Sequence, residues 1–256
     1  MTSYLIPNLA NACRMFELVA RSSHGLGLSE IEQQLAIPRT TAFRILQTLC
    51  HQQILSKQGR KYVTGPALYQ LGLDLVNHHP LHSHAVAQLK QLAMDTGLSA
   101  QLLLPRANGA LVGEVIDNPN PYSTAARPGF CAALNCSAAG KLFLANLHLD
   151  KLNQFAEHFE TQTAQSITDL SQLRVELQRI LARGYATDEQ EYREGIRCLA
   201  APVRDERGVV VAAIGVTGPI ELFPLVATAQ VAALVKQAAL TVALSTYRPE
   251  LLANAQ

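Results

Sequence analysis

The chain has 256 residues, 48% of them hydrophobic, which is enough for one large or two ordinary domains with their own cores, and its near-zero net charge of +1 says nothing by itself about nucleic acid. The five cysteines are odd in number, widely spread and without a Cys-x-x-Cys pair, which argues against a disulfide framework and for a reducing, cytoplasmic setting. No apolar run reaches the roughly 18–20 residues of a membrane span, and the chain start lacks a signal-peptide pattern.

The first 65 residues are predicted to begin with two helices. Apolar residues at helical spacing predict an opening helix from about Asn8 to Arg21. Ser29 and Glu32 have the Ser-x-x-Glu form of a capping box, so a second helix is expected to start at Ser29 and to stop near Pro38. Pro38 also suits the first position of a third helix, where its missing N–H costs nothing.

The third helix has a buried side and a polar side. Ala42, Ile45, Leu46 and Leu49 recur at i, i+3, i+4 and i+7 and predict one apolar stripe. Two short strands, 54–57 and 61–64, then flank a turn at 58–60 and predict a basic wing. We expect the polar side of the helix and the wing to reach base edges and phosphates in the major groove. The predicted DNA-binding residues are Arg39, Thr40, Thr41, Arg44, Gln47, Lys57, Arg60 and Lys61.

The charges support this placement. Residues 1–65 contain seven Lys or Arg and three Glu, a net charge of +4, whereas residues 66–256 contain 14 basic and 17 acidic residues, a net charge of −3. A basic head on an acidic body is the asymmetry expected when one end of a protein meets phosphate. Chance is the alternative, because +4 over 65 residues is modest.

The rest of the chain alternates helices with hairpins. A leucine-bearing linker helix (Ala67–His79) ends at Pro80, and a helix follows from Ser83 to Thr96. Asn108-Gly109 predicts a hairpin between strands 99–105 and 110–116. The other predicted strands are 122–126, 185–188, 197–204 and 209–217, and the other predicted helices are 138–145, 150–159, 170–183 and 225–244. This pattern predicts an α+β, sensor-like domain with an antiparallel sheet covered by helices.

Several motifs in the right order resemble the IclR family of bacterial transcriptional regulators over nearly the whole chain. They are Ile37–Leu46 in the recognition helix, the A-x-G-K segment at Ser137–Lys141, Arg183–Glu191, Glu194–Val203 and Val216–Pro219. The resemblance implies a winged helix-turn-helix at 1–65, a linker helix at 66–80 and a GAF-like effector-binding domain at 81–256. It also implies double-stranded operator DNA as the partner and a homodimer or a dimer of dimers.

The resemblance also implies a site for a small organic acid. Small residues at Ser137–Lys141 leave helix N–H groups exposed at the positive end of the helix dipole, and the resemblance favours an effector carboxylate on the N–H groups of Ala138 and Ala139. Close packing of the helix on the sheet is the alternative use of the same small residues. The predicted effector-binding residues are Tyr122, Thr124, Ala138, Ala139, Asp188, Cys198, Gly215 and Thr217.

The chain departs from the family pattern at two places. The family usually has a His where Leu134-Asn135-Cys136 stands, and it commonly has Ser where Gly215 and Thr217 stand. Gly215 therefore removes a hydroxyl donor from the expected pocket. The sequence does not identify the effector, the operator or the direction of regulation.

Other chemistry has weaker signals. A phosphate-binding P-loop is excluded because Leu142 follows Gly140-Lys141 and Asn135 replaces the first Gly. Cys198 is either a small wall residue, a buried filler or a catalytic thiol, and no His and carboxylate can be placed with it. His78, His79, His82 and His84 form either a metal site or a solvated junction between helices. No cofactor and no metal are predicted.

These features predict a cytoplasmic, ligand-responsive transcriptional regulator without enzymatic activity or a membrane partner. The competing prediction is an enzyme with a GAF-like body and an accessory DNA-binding head. A third alternative, an architectural DNA-binding protein that senses nothing, does not need roughly 170 further residues.

Overall fold

The computed structural model describes residues 4–118 and 126–250, and the chain separates into two compact units, Met1–His79 and Pro80–Gln256. Each unit has its own hydrophobic core. In chain order, the first unit contains α1 (Pro7–Ala20), β1 (Leu26–Gly27), α2 (Leu28–Leu35), α3 (Arg39–His51), β2 (Leu55–Gln58), β3 (Lys61–Thr64) and α4 (Pro66–His78).

The core of the first unit lies between α1, α2, α3 and the hairpin. The predicted stripe of α3 is buried, and it packs in one cluster with Met15 of α1 and Ile31 of α2. β3 is the central strand, paired with β2 on one side and with β1 on the other. Tyr62 of β3 is buried in the same cluster, so the wing is anchored to the helices through this ring.

The capping-box prediction at Ser29 is wrong. The second helix starts at Leu28, and the Gly27 N–H donates to Glu30 Oε2 at 2.6 Å. The reason is that β1 pairs with β3 and holds the chain extended up to Gly27. Ser29 Oγ and Glu32 Oε2 instead accept hydrogen bonds from the Arg39 guanidinium, each at 3.2 Å. The Ser-x-x-Glu pair therefore joins α2 to α3.

The second unit is a six-stranded antiparallel sheet with helices on both faces. The strand order is β6-β5-β4-β9-β8-β7. Two short 3-10 helices, Leu149–His158 and Leu225–Ala227, complete the unit. Its other elements are α5 (Pro80–Thr96), β4 (Ser99–Arg106), β5 (Gly109–Ile116), β6 (Cys131–Ala132), α6 (Ala138–Leu147), α7 (Leu170–Arg183), β7 (Ala186–Glu189), β8 (Ile196–Arg204), β9 (Val210–Pro219) and α8 (Thr228–Tyr247).

The two faces of the sheet carry separate cores. Leu89 of α5 and Val235 of α8 pack on the face to which Ile214 points. Leu142 of α6 and Leu177 of α7 pack on the opposite face. Because side chains alternate along a strand, β4, β8 and β9 each contribute to both cores.

Two predictions for this unit need correction, and a third is left untested. The β4–β5 turn is Ala107-Asn108, because Gly109 pairs with Arg106 and belongs to β5. A Cβ on Gly109 would lie 2.7 Å from the Ala132 carbonyl oxygen, so the close approach of β6 requires glycine there. The predicted helix 150–159 is a 3-10 segment with non-helical φ/ψ at Lys151, since it buries only Leu152. The predicted strand 122–126 lies outside the described residues except for Ala126, which is not in a strand.

The last helical segment, Leu225–Tyr247, is long and apolar enough by composition to cross a membrane, although no such run was expected from the sequence. In the structure it divides into a 3-10 turn and α8. Val231, Val235 and Val242 of α8 lie in the core on the sheet. The buried face of this helix therefore serves the packing of the second unit.

We predict that Gly140→Ala lowers the free energy of unfolding of the second unit by about 1–3 kcal/mol. A Cβ on Gly140 would lie 2.7 Å from both Cα and the carbonyl oxygen of Leu134, backbone atoms that cannot rotate away. The matched control is Gly72→Ala in exposed α4, where a Cβ meets nothing within 4 Å and the higher helix propensity of Ala adds up to about 1 kcal/mol. Urea unfolding followed by circular dichroism measures both. An unchanged or higher midpoint for Gly140→Ala would contradict the close packing of α6.

Candidate functional site

One side of α3 forms an exposed polar surface on the first unit. Thr40, Arg44 and Gln47 are exposed opposite the buried stripe, and Thr41 is partly exposed at its edge. Arg44 and Thr41 also border a shallow groove against α1. Hydroxyl, guanidinium and amide groups on one helix face can donate to and accept from base edges. The structure thus brings these four predicted residues onto a single surface.

Arg39 is placed differently from the other predicted residues of α3. Its guanidinium forms an ion pair with Glu32 at 3.2 Å, and its side chain remains 60% exposed. It therefore holds α2 against the start of α3. A contact from Arg39 to DNA has to share or replace this ion pair.

The wing carries the remaining predicted cations. Lys57, Arg60 and Lys61 are exposed on the β2–β3 hairpin, whose turn contains Gly59 at φ +61°. The Lys57 ammonium lies 6.0 Å from the centre of the Tyr62 ring. These three side chains present positive charge to solvent, which suits contacts to phosphate.

Phe43 belongs to the same surface and has no role predicted from the sequence. It lies on α3 outside the apolar stripe and is 45% exposed. An apolar ring in this position can contact a thymine methyl group in the major groove. The signal in the sequence is a large apolar residue that the stripe of the helix leaves unexplained.

The second unit contains a cavity of about 310 Å³ between the sheet and the start of α6. Most of its walls are apolar, and a few polar side chains face it, which is the usual form of a small-molecule site. Six predicted effector-binding residues line it: Ala138, Ala139, Asp188, Cys198, Gly215 and Thr217. The other two, Tyr122 and Thr124, lie outside the described residues.

Strand register brings three of these residues into a row. Thr217 of β9 lies opposite Cys198 of β8, and Cys198 lies opposite Asp188 of β7. Cys198 Sγ donates a hydrogen bond to Thr217 Oγ1 at 3.1 Å. Because all three side chains are on the same face of the sheet, they form one polar edge of the cavity.

The start of α6 forms the wall above the sheet. Ser137 Oγ accepts a hydrogen bond from the Gly140 N–H at 3.0 Å, and the Ser137 carbonyl accepts one from the Lys141 N–H. The N–H groups of Ala138 and Ala139 precede these two at the positive end of the helix, and both residues line the cavity. The small residues of this segment thus serve two purposes. Gly140 allows close packing against Leu134, and Ala138 and Ala139 face the cavity.

Asp188 is buried and its protonation is finely balanced. Its Oδ1 accepts hydrogen bonds from the N–H groups of Glu191 at 2.7 Å and Tyr192 at 3.2 Å. Burial, and after it the charge of Glu191, raise the pKa of Asp188 from 3.8 to about 7. The two N–H donors and Lys141 act in the opposite direction. Near neutral pH the carboxyl group is therefore able either to donate or to accept a hydrogen bond.

Cys198 is a thiol and not a thiolate. Burial, followed by the negative charge of Asp188, raises the pKa of Cys198 well above its ordinary value. A reactive cysteine needs a lowered pKa, which this environment does not provide. Cys198 thus acts as a soft, weakly polar part of the cavity wall.

Gly215 lies where the strands approach most closely across the cavity floor. It pairs with Gln101 of β4 and Ala200 of β8. A Cβ at this position would lie 2.8 Å from the Leu199 carbonyl oxygen and 3.2 Å from Leu103 Cδ1. A serine therefore does not fit at position 215 without a shift of β8. The glycine thus not only lacks the hydroxyl group of the family's serine but also allows the strands to pack closely.

The cavity lining also includes side chains that the sequence did not single out, among them Gln101, Phe130, Tyr192 and Arg193. The rings of Phe130 and Tyr192 meet edge to face with centres 6.0 Å apart. Gln101 had a signal in the sequence, since it is the polar residue in the otherwise apolar run Ala100–Leu104. Arg193 is exposed and supplies positive charge to the cavity lining.

The histidines near Pro80 have separate partners. His82 Nε2 lies 3.0 Å from Glu114 Oε2, and His84 Nδ1 lies 3.1 Å from Thr246 Oγ1. Within residues 4–118 and 126–250, no group of three or more His, Cys, Asp or Glu side chains is arranged to hold a metal ion. The two rings therefore fasten the start of α5 to β5 and α8.

Comparison with known proteins gives the same similarity over most of the chain. Residues 8–59 match the IclR helix-turn-helix domain, and residues 73–244 match the bacterial transcriptional regulator IclR C-terminal domain. The glycerol operon regulatory protein of Streptomyces griseus is 30% identical over 218 residues, which are 84% of this chain and 86% of that protein.

Solved structures agree with these matches. An IclR transcriptional regulator from Alicyclobacillus acidocaldarius is 26% identical, with a TM-score of 0.81 over 95% of this chain and 100% of the other. An IclR homologue from Microbacterium hydrocarbonoxydans, solved in complex with 4-hydroxybenzoate, has the same fold at 21% identity, with a TM-score of 0.75 over 93% of this chain and 98% of the other.

We predict that titration of Asp188 makes the free energy of unfolding depend on pH, and that Asp188→Asn removes this dependence. Because the pKa of Asp188 is raised in the folded protein, its contribution is fully present below 3.8 and is lost as the pH rises through about 7. As the pH falls from 8 to 5, the free energy of unfolding of the wild-type protein should therefore rise by about 3 kcal/mol relative to that of Asp188→Asn. Asparagine keeps an oxygen acceptor for the two N–H groups. Urea unfolding of both proteins at pH 5, 6, 7 and 8 measures the difference, and a pH-independent difference would contradict a buried, protonated Asp188.

Proposed function

The chain belongs to the IclR family of bacterial DNA-binding transcriptional regulators, and we propose that a small organic acid bound in the cavity of its second unit changes its affinity for an operator. One observation carries this proposal. The start of α6 and the polar row of Asp188, Cys198 and Thr217, which comes from three strands, line the same largely apolar cavity. The acid places its carboxylate on the N–H groups of Ala138 and Ala139 and its body on the apolar walls. The homologue bound to 4-hydroxybenzoate supports this class of ligand.

The polar row then orients the rest of the acid. Asp188 and Thr217 can each donate or accept a hydrogen bond, and Cys198 fills the space between them. Tyr122 and Thr124 are proposed to complete the site. An anion is acceptable beside Asp188 because the raised pKa lets that carboxyl group carry a proton at neutral pH.

DNA is bound by the first unit. Thr40, Thr41, Arg44 and Gln47 read the major groove, while Lys57, Arg60 and Lys61 contact phosphates. Arg39 contacts the backbone from the start of α3, where it also pairs with Glu32. The exposure of all these side chains, Thr41 in part, supports the assignment.

The regulator is proposed to act as a homodimer or a dimer of dimers. One recognition helix reads too few base pairs for useful specificity, and two on a pseudo-palindrome read half-sites about one helical turn apart. We place the meeting of protomers at α4, which buries no residue within its own unit and exposes Tyr69, Leu71 and Leu75. Acid binding then changes the spacing of the two recognition helices.

The proposed role is regulatory, without catalysis, and is carried out in the cytoplasm. Two similar proteins, the glycerol operon regulatory protein of Streptomyces griseus and the transcriptional repressor IclR of Escherichia coli, are named as regulators. The raised pKa of the Cys198 thiol also argues against the alternative of an enzyme that uses this cysteine as a nucleophile.

For the DNA surface, we predict that Arg44→Ala weakens operator binding by about 1–3 kcal/mol, because a charged contact to a base edge or phosphate is lost. Arg179→Ala, which removes an exposed arginine from the second unit, is the matched control and should bind as the wild type does. Fluorescence anisotropy with a labelled operator measures both. Wild-type affinity in a folded Arg44→Ala protein would remove Arg44 from the interface.

For the cavity, we predict that Ala139→Glu abolishes the response to acid while leaving operator binding intact. The new side chain fills the cavity and repels a carboxylate, whereas the first unit folds around its own core. Ala229→Glu, on an exposed position of α8, adds the same charge outside the cavity and should respond normally. Operator affinity is measured with and without 4-hydroxybenzoate and other small carboxylates. A wild-type response in Ala139→Glu would place the effector elsewhere.

A further inference from the structure

Gln101 is a buried amide that faces the cavity without a hydrogen-bond partner. It lies on β4, its residue is only 9% exposed, and its side chain lines the cavity. Among the residues that the structure describes, none forms a hydrogen bond with this side-chain amide. The amide atoms keep access to the cavity, so a molecule bound there can reach them, whereas a strand position among apolar neighbours normally carries an apolar residue. The surrounding residues Leu103 and Val112 are apolar.

The position of Gln101 is distinct from the carboxylate site. In the sheet register Gln101 pairs with Gly215 of β9, and Gly215 pairs with Ala200 of β8. The helix α6 as a whole packs mainly over β8 and its neighbours β7 and β9. Gln101 is therefore two strand spacings, about 10 Å, from β8. Gly215 and Ala200 carry no long side chain, the Leu103 side chain packs close to Gly215, and a single cavity is lined both by Gln101 and by the start of α6.

We propose that Gln101 recognises a hydroxyl group at the end of the effector opposite its carboxylate, so that the ligands of this protein are hydroxylated monocarboxylic acids. This inference rests on the proposed function, since it takes the carboxylate to lie on the N–H groups of Ala138 and Ala139. A primary amide offers both an N–H donor and a carbonyl acceptor, and a hydroxyl group satisfies both at once. An alkyl end leaves the amide unpaired.

A second carboxylate at this end fits less well. The Gln101 amide is neutral and cannot balance another charge, while Asp188 already places a carboxyl group in the cavity wall. Lys141 is committed to Glu191 in a buried ion pair. The remaining cation of the cavity lining, Arg193, is exposed to solvent. The charges thus favour a monoanion with a neutral polar end.

The test uses matched pairs of acids that differ by one hydroxyl group: 4-hydroxybenzoate with benzoate, and 5-hydroxypentanoate with pentanoate. Isothermal titration calorimetry on the full chain gives the dissociation constant of each acid. We expect the wild-type protein to bind the hydroxylated member of at least one pair ten- to a hundredfold more tightly, because the plain acid leaves the buried amide unpaired. Gln101→Met keeps the length of the side chain without the amide and should lose this preference while binding the plain acid at least as well.

Controls separate recognition from folding. Gln91→Met removes an exposed glutamine of α5 and should keep the wild-type preference. The thermal midpoint of ligand-free Gln101→Met should not be lower than that of the wild type, because no protein hydrogen bond is removed. A lower midpoint would show that Gln101 is a structural group and would count against the inference.

The outcomes also distinguish this inference from the proposed function. If the wild-type protein binds both members of each pair equally, or if Gln101→Met retains the preference, Gln101 does not read a hydroxyl group while the acid site stands. If none of the four acids binds at millimolar concentration, both the acid site and the role of Gln101 are wrong. The preference within each pair is measured on the wild-type protein, so the test does not depend on the variant folding.

Discussion

The buried ion pair between Lys141 and Glu191 holds together the two elements that shape the polar part of the cavity. Lys141 lies on α6, whose first turn faces the cavity, and Glu191 lies in the turn after β7. Both side chains are almost fully buried, so removing either leaves an unpaired charge that costs about 3–5 kcal/mol. The hydroxyl groups of Thr163 and Ser166 also donate to the Glu191 carbonyl. The N–H groups that hold Asp188 belong to this same anchored turn.

That pair also decides the charge of the cavity. Lys141 is paired with Glu191, so Asp188 has no cation of its own, and burial, followed by the charge of Glu191, raises the pKa of Asp188 to about 7. A protonated Asp188 removes the repulsion that a bound carboxylate would otherwise meet. The helix start then supplies the positive potential without a charged side chain. Anion binding beside two carboxyl groups is consistent because only the unpaired one needs to carry a proton.

The two units solve different physical problems. The first exposes its polar groups, because phosphate and base edges are large, hydrated partners that come to the surface. The second encloses its polar groups among apolar walls, which suits the proposed small acid, since such a ligand gains affinity where water is displaced and each hydrogen bond is strong. The segregation of positive charge into residues 1–65 follows from this division of work.

The sequence by itself determined the helices of the first unit, most strands of the second and the family, because periodicity, turn residues and ordered motifs are local signals. Through its resemblance to the IclR family, the sequence also predicted six residues that line one cavity. It misplaced the start of α2 because β1 pairs with β3, a contact that no local signal contains. Gln101 gained significance only when strand register placed it beside Gly215, at the floor of the cavity. The pKa of Asp188 likewise depends on burial and on Glu191, which are properties of the packed structure and not of residue order.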